Sequence, residues 1–344
     1  WKVRSEKMRN IYDLTIKELE DYFISINEKK FRAVQVYEAL YKRRIKSFDD
    51  MTNISKEVRE KLKQDFSFYK IKMLIKQQGK NVNKYLFELE DGNKIESVLM
   101  FHDYGTSICV SSQVGCNMTC AFCESGRLKK VRNLLAYEIV QQILQIEEDI
   151  NKRITHVVLM GIGEPFDNYD NVLRFVKIIN CGKGIDIGSR HITISTCGVI
   201  PGIKKFMNEE GQINLAISLH APNDTLRSRI MPINKAYPLN ELMETIKEYI
   251  NKTNRRVTFE YIMLDNVNDS EENAKELALL LKGINCYVNL IPYNETENIE
   301  FKRTKEWKIM KFYDILKKNK INVTIRKEFG GSVDAACGQL RANN

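Results

Sequence analysis

The sequence is poor in glycine and proline, with 17 and 6 among 344 residues. This excludes collagen-like and low-complexity classes. Long apolar runs are also missing, and none approaches the length needed to cross a bilayer, so we expect no integral membrane protein. The start, Trp1-Lys-Val-Arg-Ser, is polar and basic and lacks the apolar core of a signal peptide. We therefore expect a cytoplasmic protein.

What is present indicates a folded chain. Hydrophobic residues make up 43% and charged residues 29%, which excludes disorder as the main state. The length suits a large α/β domain with an appendage. The net charge is +9, and residues 301–344 hold eleven Lys or Arg against four Asp or Glu. Such a surplus suits a polyanion such as nucleic acid, and it equally suits a solvated helix face.

Residues 1–66 are predicted to form a small helical domain, because apolar residues recur at helical spacing from Leu14, Phe31 and Val58 onward. Residues 67–104 change to a strand pattern. Residues 85–94 are typical of a strand followed by a tight turn, and residues 95–100 of the returning strand. We expect a short antiparallel connector there.

Residues 105–344 alternate strand and helix, which indicates a parallel sheet, either barrel-like or doubly wound. The predicted strands cover residues 106–111, 156–161, 191–196, 213–219, 256–264, 287–292 and 323–328. The predicted helices lie near residues 136–150, 168–180, 238–253, 270–282 and 302–319.

Four of the eight cysteines fall within fifteen residues, and three of them, Cys116, Cys120 and Cys123, form a C-x3-C-x2-C loop after the first strand of this region. Without a secretory signal, a disulfide framework is not expected. Three thiolates fit a [4Fe–4S] cluster with one open iron, whereas structural zinc requires a fourth ligand. Three incidental buried cysteines are the alternative. Cys181, Cys197 and Cys286 are interpreted as packing residues.

Seven segments with distinctive residues follow one another along the chain. They are Cys109-Val-Ser-Ser-Gln-Val-Gly-Cys116, Met160-Gly-Ile-Gly-Glu-Pro165, Ile194-Ser-Thr-Cys-Gly198, Ser218-Leu-His220, Met231-Pro-Ile-Asn234, Asn289-Leu-Ile-Pro-Tyr-Asn294 and Asp334-Ala-Ala-Cys-Gly-Gln-Leu340. The cysteine loop resembles that of the radical S-adenosylmethionine (SAM) superfamily. Together the segments resemble the RlmN/Cfr family of rRNA adenine methyltransferases, from the helical N-terminus to Arg341.

The resemblance implies a partial (β/α)6 TIM-like barrel with a helical, RNA-binding N-terminal domain. It implies that Cys116, Cys120 and Cys123 hold a [4Fe–4S] cluster whose open iron binds SAM. Glycines after the second barrel strand would let the backbone approach a ligand. The SAM contacts implied by the family are Gly163, Glu164, Ser195, Ser218, Leu219, His220 and Asn294.

The family also implies roles for three further residues. Cys337 accepts a methyl group from one SAM, and a second SAM supplies the radical that activates this group, so each turnover uses two. Cys109 resolves the protein–RNA adduct by forming a disulfide with Cys337. Glu96 matches the proposed base, although a glutamate on a short strand is more often only solvated.

The expected activity is methylation of C2 of adenosine 2503 in 23S rRNA, and of an adenosine in certain tRNAs, with an electron donor such as flavodoxin. C8 methylation, an antibiotic-resistance activity, is the alternative. Val114 and Pro165 favour C2, whereas Phe329-Gly330 and Glu124 depart from that pattern. A non-enzymatic iron–sulfur RNA-binding protein is a further alternative, although it would need neither Cys109 nor Cys337.

Overall fold

The computed structural model describes residues 8–296, 298–326 and 339–340. The first part is helical, with α1 (Ile16–Ser25), α2 (Arg32–Tyr41) and α3 (Lys56–Asp65). Thr15 begins α1 through a capping box, in which its side chain accepts from the Glu18 N–H and the Glu18 carboxylate accepts from the Thr15 N–H. Leu19 and Phe23 on the inner face of α1 are fully buried.

Four antiparallel strands follow: β1 (Lys72–Gly79), β2 (Val82–Glu88), β3 (Lys94–His102) and β4 (Gly105–Cys109). The hairpin predicted for residues 85–100 is present, with Glu88 opposite Lys94. These strands do not form a separate sheet. β4 pairs in parallel with the first strand of the core, so the antiparallel strands extend the wall of the barrel.

The strands that follow β4 belong to two sheets. A two-stranded ribbon is made of β5 (Gln113–Val114) and β6 (Arg132–Asn133), and the later strands are β7 (His156–Leu159), β8 (Ile192–Thr196), β9 (Asn214–Ser218), β10 (Val257–Met263), β11 (Cys286–Pro292) and β12 (Val323–Ile325). Among the described residues, the main sheet has ten strands in the order β1-β2-β3-β4-β7-β8-β9-β10-β11-β12. Its strands from β7 to β12 are parallel, as the alternating pattern predicts.

In the part of the chain that the structure describes, seven helices accompany this sheet, and the five longest lie where the sequence predicts helices. The other two, α6 and α7, have seven residues each, too few to produce a clear helical period. The seven are α4 (Ala136–Ile150), α5 (Tyr169–Asn180), α6 (Ile200–Phe206), α7 (Asp224–Ile230), α8 (Leu239–Thr253), α9 (Glu271–Leu280) and α10 (Glu306–Lys318).

Alternate residues of the parallel strands face opposite sides of the sheet, as strand geometry requires. One set packs in the core under the helices, for example Ile194, Ile217 and Phe259. The other set faces the barrel interior and includes polar side chains such as Ser195 and Glu260. The functional groups considered below belong to this second set or to the loops that follow the strands.

The helical part is joined to the barrel by charged contacts. Arg174 of α5 donates to both carboxylate oxygens of Glu18, at 2.6 and 2.5 Å. Burial would raise the pKa of Glu18, but hydrogen bonds from Arg174, Thr15 and Arg9 outweigh it and lower the pKa to about 2. Elsewhere at this junction Arg44 pairs with Glu147.

None of the helices in the described part of the chain combines the length and the apolar character that a membrane span requires.

Candidate active site

The three cysteines of the C-x3-C-x2-C loop line one cavity at the carboxyl ends of the parallel strands. We call it the carboxyl-end cavity, and its volume is about 120 Å³. The loop is fixed by backbone hydrogen bonds, from Cys116 N–H to Leu128 C=O at 2.9 Å and from Cys123 N–H to Cys120 C=O at 3.1 Å. The cysteines therefore meet at the edge of the sheet where α/β folds bind ligands.

Two glycines after β7 form the adjacent wall. A Cβ on Gly161 would lie 2.7 Å from the backbone of Val110, and one on Gly163 would lie 2.6 Å from Cβ of Gln113. Gly163 also has a φ of +109°, a conformation that favours glycine. Only glycine lets this turn pass so close to the neighbouring strand while it lines the cavity.

Glu164 lies in the same wall with its carboxylate held in place. One oxygen accepts from the Phe166 N–H at 2.9 Å and the other from the Cys197 N–H at 2.8 Å. Burial raises the pKa of Glu164 although both hydrogen bonds favour the charged form. The hydrogen-bonded carboxylate can accept from a cationic ligand group without rearranging.

Ser195, Ser218 and His220 also contribute to the polar lining. Nδ1 of His220 accepts from the Ile262 N–H at 3.0 Å, so Nε2 carries the proton of the neutral ring. Burial, assisted by the charge of Arg227, lowers the pKa of His220 to about 3. The imidazole is therefore neutral at physiological pH.

Leu219 and Asn294, two of the SAM contacts implied by the resemblance, do not line this cavity. Leu219 packs in the hydrophobic core because it alternates with Ser218 and His220. Its N–H donates to Glu260 C=O at 3.1 Å, and its C=O accepts from Arg227 at 3.2 Å. Asn294 is half-buried and lies two residues beyond the end of β11.

Cys109 and Glu96 are not among the residues that line the cavity. Cys109 is buried in an apolar cluster that includes Met100 and Leu340. Glu96 is buried as well and forms an ion pair with Lys84 at 2.8 Å. The interpretation of Glu96 as a solvated strand residue is therefore wrong. Cys337 lies outside the described residues.

Arg227 is a functional candidate that sequence reasoning missed. It is fully buried on α7, and its guanidinium donates to the carbonyl oxygens of Leu219, Ser218 and Cys197 and to Oδ1 of Asn234. Because these acceptors are uncharged, they do not neutralise the Arg227 guanidinium. Its positive charge can therefore compensate negative charge in the cavity. The sequence carries no signal for this role, because Arg227 resembles any other arginine on a short helix.

The donor set fits a [4Fe–4S] cluster with one open iron. Burial raises the pKa of the Cys116 thiol to about 12, and such a thiol loses its proton when it binds a metal. Within the described part of the chain, no three His, Cys, Asp or Glu side chains could together hold a single ion. A cluster does not require such convergence, because each thiolate binds a different iron.

Comparison with known proteins identifies the family. Residues 9–67 match the model of the ribosomal RNA large subunit methyltransferase N-terminal domain, and residues 110–278 match that of the radical SAM superfamily. A probable dual-specificity RNA methyltransferase RlmN from Spiroplasma citri is 53% identical over 98% of both chains. One from Streptococcus thermophilus is 54% identical over 97% of this chain and 88% of its own.

A solved structure agrees with this assignment. The crystal structure of a radical SAM methyltransferase from Sphaerobacter thermophilus has a TM-score of 0.92 at 41% identity, covering 97% of this chain and 100% of its own. The predicted α/β barrel class is confirmed. Radical SAM enzymes use SAM together with a [4Fe–4S] cluster, which the carboxyl-end cavity fits. The chain belongs to the RlmN family of radical SAM RNA methyltransferases.

Proposed function

We propose that this protein methylates C2 of adenosine 2503 in 23S rRNA, and an adenosine in certain tRNAs, through a methylated Cys337. The observation that carries the proposal is the convergence of three cysteines, the Gly163 turn and the held Glu164 carboxylate on one cavity. The relatives' name, dual-specificity RNA methyltransferase, supports two kinds of RNA substrate.

Cys116, Cys120 and Cys123 would hold the cluster, and the open iron would take the methionine end of SAM. When bound, these groups supply a 5′-deoxyadenosyl radical. Glu164 would accept a hydrogen bond from the amino group of that methionine moiety, while Ser195, Ser218 and His220 offer polar contacts at the same rim. Leu219 and Asn294, which do not line the cavity, are proposed as further SAM contacts on the family resemblance alone.

Cys337 would take a methyl group at sulfur from the first SAM. This methyl group would give up a hydrogen atom to the 5′-deoxyadenosyl radical, which becomes 5′-deoxyadenosine. The carbon radical left on Cys337 could then add to adenine C2, an electron-poor carbon that is no nucleophile, and the adduct would give up one electron, to the oxidised cluster, and the C2 proton. Leu340, three positions later, packs against Cys109 beside the cavity. Three residues span at most about 11 Å, which supports Cys109 as the thiol that forms a disulfide with Cys337 and releases the RNA.

Glu96 is our proposed acceptor of the proton that leaves C2. It lies on the face of β3 that also carries Val98, and Val98 pairs with Cys109. The carboxylate therefore lies on the same side of the sheet as Cys109. Its ion pair with Lys84 would hold it in place.

The proposal includes a cytoplasmic location, an electron donor such as flavodoxin and two SAM molecules per turnover. RNA would be gripped through its backbone, since the chain carries a net charge of +9. The target base must leave its stack to reach a buried cavity.

The direct test is nucleoside mass spectrometry after anaerobic reaction of the reconstituted protein with SAM, a reductant and protein-free 23S rRNA that lacks the modification. We expect 2-methyladenosine. A product that coelutes with 8-methyladenosine would assign C8 methylation instead. A chain that makes neither product nor 5′-deoxyadenosine would be the non-enzymatic RNA-binding protein.

Cysteine variants test the route. Cys337→Ala should abolish methylation, whereas Cys109→Ala should accumulate a covalent protein–RNA adduct visible on denaturing gels. Cys181→Ala is the matched control, because Cys181 lies outside the carboxyl-end cavity and should behave as wild type. Normal amounts of released methylated RNA from Cys109→Ala would contradict the resolving role.

A further inference from the structure

A second, larger cavity lies at the amino-terminal end of the same barrel. We call it the amino-end chamber, and its volume is about 790 Å³. Three of the four histidines in the chain, His102, His156 and His191, line it. None of these side chains has a part in the proposed function above. The volume falls in the range usual for ligand pockets, roughly 300–1,000 Å³.

Aromatic rings form the rim of the chamber. Tyr104 stacks on His102 with ring centroids 4.6 Å apart, and its edge meets His156 at 5.4 Å. His191 lies against His156 at 4.4 Å. Tyr104 is 69% exposed, so one ring of this group is open to a partner. An exposed aromatic ring supported from behind is a platform on which a nucleobase can stack.

The inner end of the chamber borders the proposed reaction centre. Met160 and Glu260 line both the chamber and the carboxyl-end cavity. Met100 and Val158, which also line the chamber, pack around Cys109. A group that enters from the rim therefore approaches the proposed resolving cysteine and the cavity that would hold SAM.

The polar lining changes along the chamber. At depth, Asn289 donates to the Glu260 carboxylate at 2.8 Å, and the positive charge of Arg326 acts on the same carboxylate. At the rim, the exposed Arg190 brings positive charge, with Asp103 as an acidic neighbour. Arginine side chains suit a phosphate, and carboxylate and amide groups suit the polar edge of a base or a sugar hydroxyl.

We propose that the amino-end chamber receives the extruded target nucleotide of the RNA, with aromatic rings and Arg190 at the rim and the base directed toward Met160 and Glu260. This inference rests on the proposed function, since it names where that RNA is held. An adenine base must leave its stack, and the chamber offers both the room and the stacking surface that an extruded base needs.

The test uses the full chain and an RNA hairpin with 2-aminopurine at the target position, because this base fluoresces more strongly once unstacked. Wild type should raise the fluorescence on binding. Tyr104→Ala and Arg190→Gln should each reduce that rise and weaken hairpin binding about tenfold. Trp307→Ala is the matched control, since Trp307 is 61% exposed and lies outside the chamber, and it should bind as wild type does.

Thermal unfolding of each variant checks that the fold is intact, and both substituted side chains are exposed. Wild-type affinity and fluorescence in Tyr104→Ala and Arg190→Gln would overturn the chamber proposal, as would an equal loss in Trp307→Ala. The fluorescence assay does not depend on catalysis. Failure of the proposed function would appear separately, as wild-type protein that makes no methylated RNA.

Discussion

The two ends of the barrel interior use their polar side chains in different ways. In the carboxyl-end cavity two of the polar groups are held by the backbone: Glu164 accepts two backbone N–H groups, and His220 accepts one. At the rim of the amino-end chamber, Tyr104 and Arg190 are exposed, and among the described residues the Arg190 side chain donates only to another exposed side chain, that of Gln212. The first end is preorganised for a ligand of fixed shape, as radical chemistry requires. The second can adapt to a large, variable partner.

The difference comes from the chain segments that build each end. The carboxyl-end cavity is made largely by loops that follow strands, and these loops bond to one another, as Gln113 does when it accepts from the Glu164 N–H at 2.9 Å. The chamber is made largely by residues near strand starts, which contribute single side chains. A substitution in the cavity should therefore disturb the fold, whereas one at the chamber rim should disturb only binding.

The largest effect is expected at Arg227. Arg227→Met leaves the carbonyl oxygen of Cys197 and Oδ1 of Asn234 without their donor, whereas Leu219 C=O still accepts from the Ala221 N–H. Each unsatisfied buried acceptor costs about 1–3 kcal/mol, so the free energy of unfolding should fall by about 2–6 kcal/mol. Arg229→Met, on the exposed side of the same helix, should change it by less than about 0.5 kcal/mol. Urea unfolding of the two variants measures both.

Equal stability of Arg227→Met and Arg229→Met would show that the buried guanidinium is not needed to hold the cavity wall. The contrast between a fixed and an adaptable end would then lose its strongest support.

A smaller effect is expected at Gly163. Gly163→Ala combines a strained φ with a Cβ only 2.6 Å from Gln113, so it should destabilise the protein by about 3 kcal/mol and weaken SAM binding. Gly211→Ala has a similar φ, +103° against +109°, but open space around its Cβ. It should cost about 1–2 kcal/mol and leave SAM binding intact. Urea unfolding measures the stability of each variant, and equilibrium dialysis with labelled SAM measures its SAM binding. Both variants share the backbone strain, so the difference between them reports the clash of the new Cβ with Gln113. Identical stability and SAM binding in the two variants would contradict the close contact between Gly163 and Gln113.

The smallest effect concerns pH. The pKa of His220 falls from an unfolded value of about 6.5 to about 3 in the folded protein, so only the unfolded state takes up a proton between these values. The stability this histidine contributes is complete above about pH 6.5 and is lost as the pH falls toward 3. Below about pH 6, unfolding free energy should drop by about 1.4 kcal/mol per pH unit more in wild type than in His220→Gln.

Parallel urea unfolding curves of the two proteins across pH 7.5 to 5 provide the measurement. Equal slopes would mean that water reaches His220 in the folded protein and that the carboxyl-end cavity is less enclosed than described.

Local patterns predicted much of the fold and of the cavity. Alternating periods identified the parallel strands and the five longer helices of the core, and cysteine spacing identified the three thiols that share one cavity. Ser218 and His220 line the cavity and Leu219 does not, because a strand turns alternate residues to opposite faces, whereas the resemblance carries Ser218-Leu-His220 as one unit.

Other features depend on tertiary structure and have no local signal. Arg227 matters because acceptors from three separate segments converge on it, namely the carbonyl oxygens of Leu219 and Cys197 and Oδ1 of Asn234. The burial of Glu96 depends on Lys84 of the neighbouring strand. The amino-end chamber draws on residues from Asn81 to Arg326, so no motif could reveal it.

The central claim is that Cys116, Cys120 and Cys123 hold the cluster that generates the radical. It is tested most directly by measuring iron content and 5′-deoxyadenosine after anaerobic reconstitution of wild type, Cys120→Ser and Cys181→Ser. We expect about four irons per chain and 5′-deoxyadenosine from wild type and Cys181→Ser, and neither from Cys120→Ser. Full iron content and 5′-deoxyadenosine in Cys120→Ser, or the loss of both in Cys181→Ser, would contradict the account.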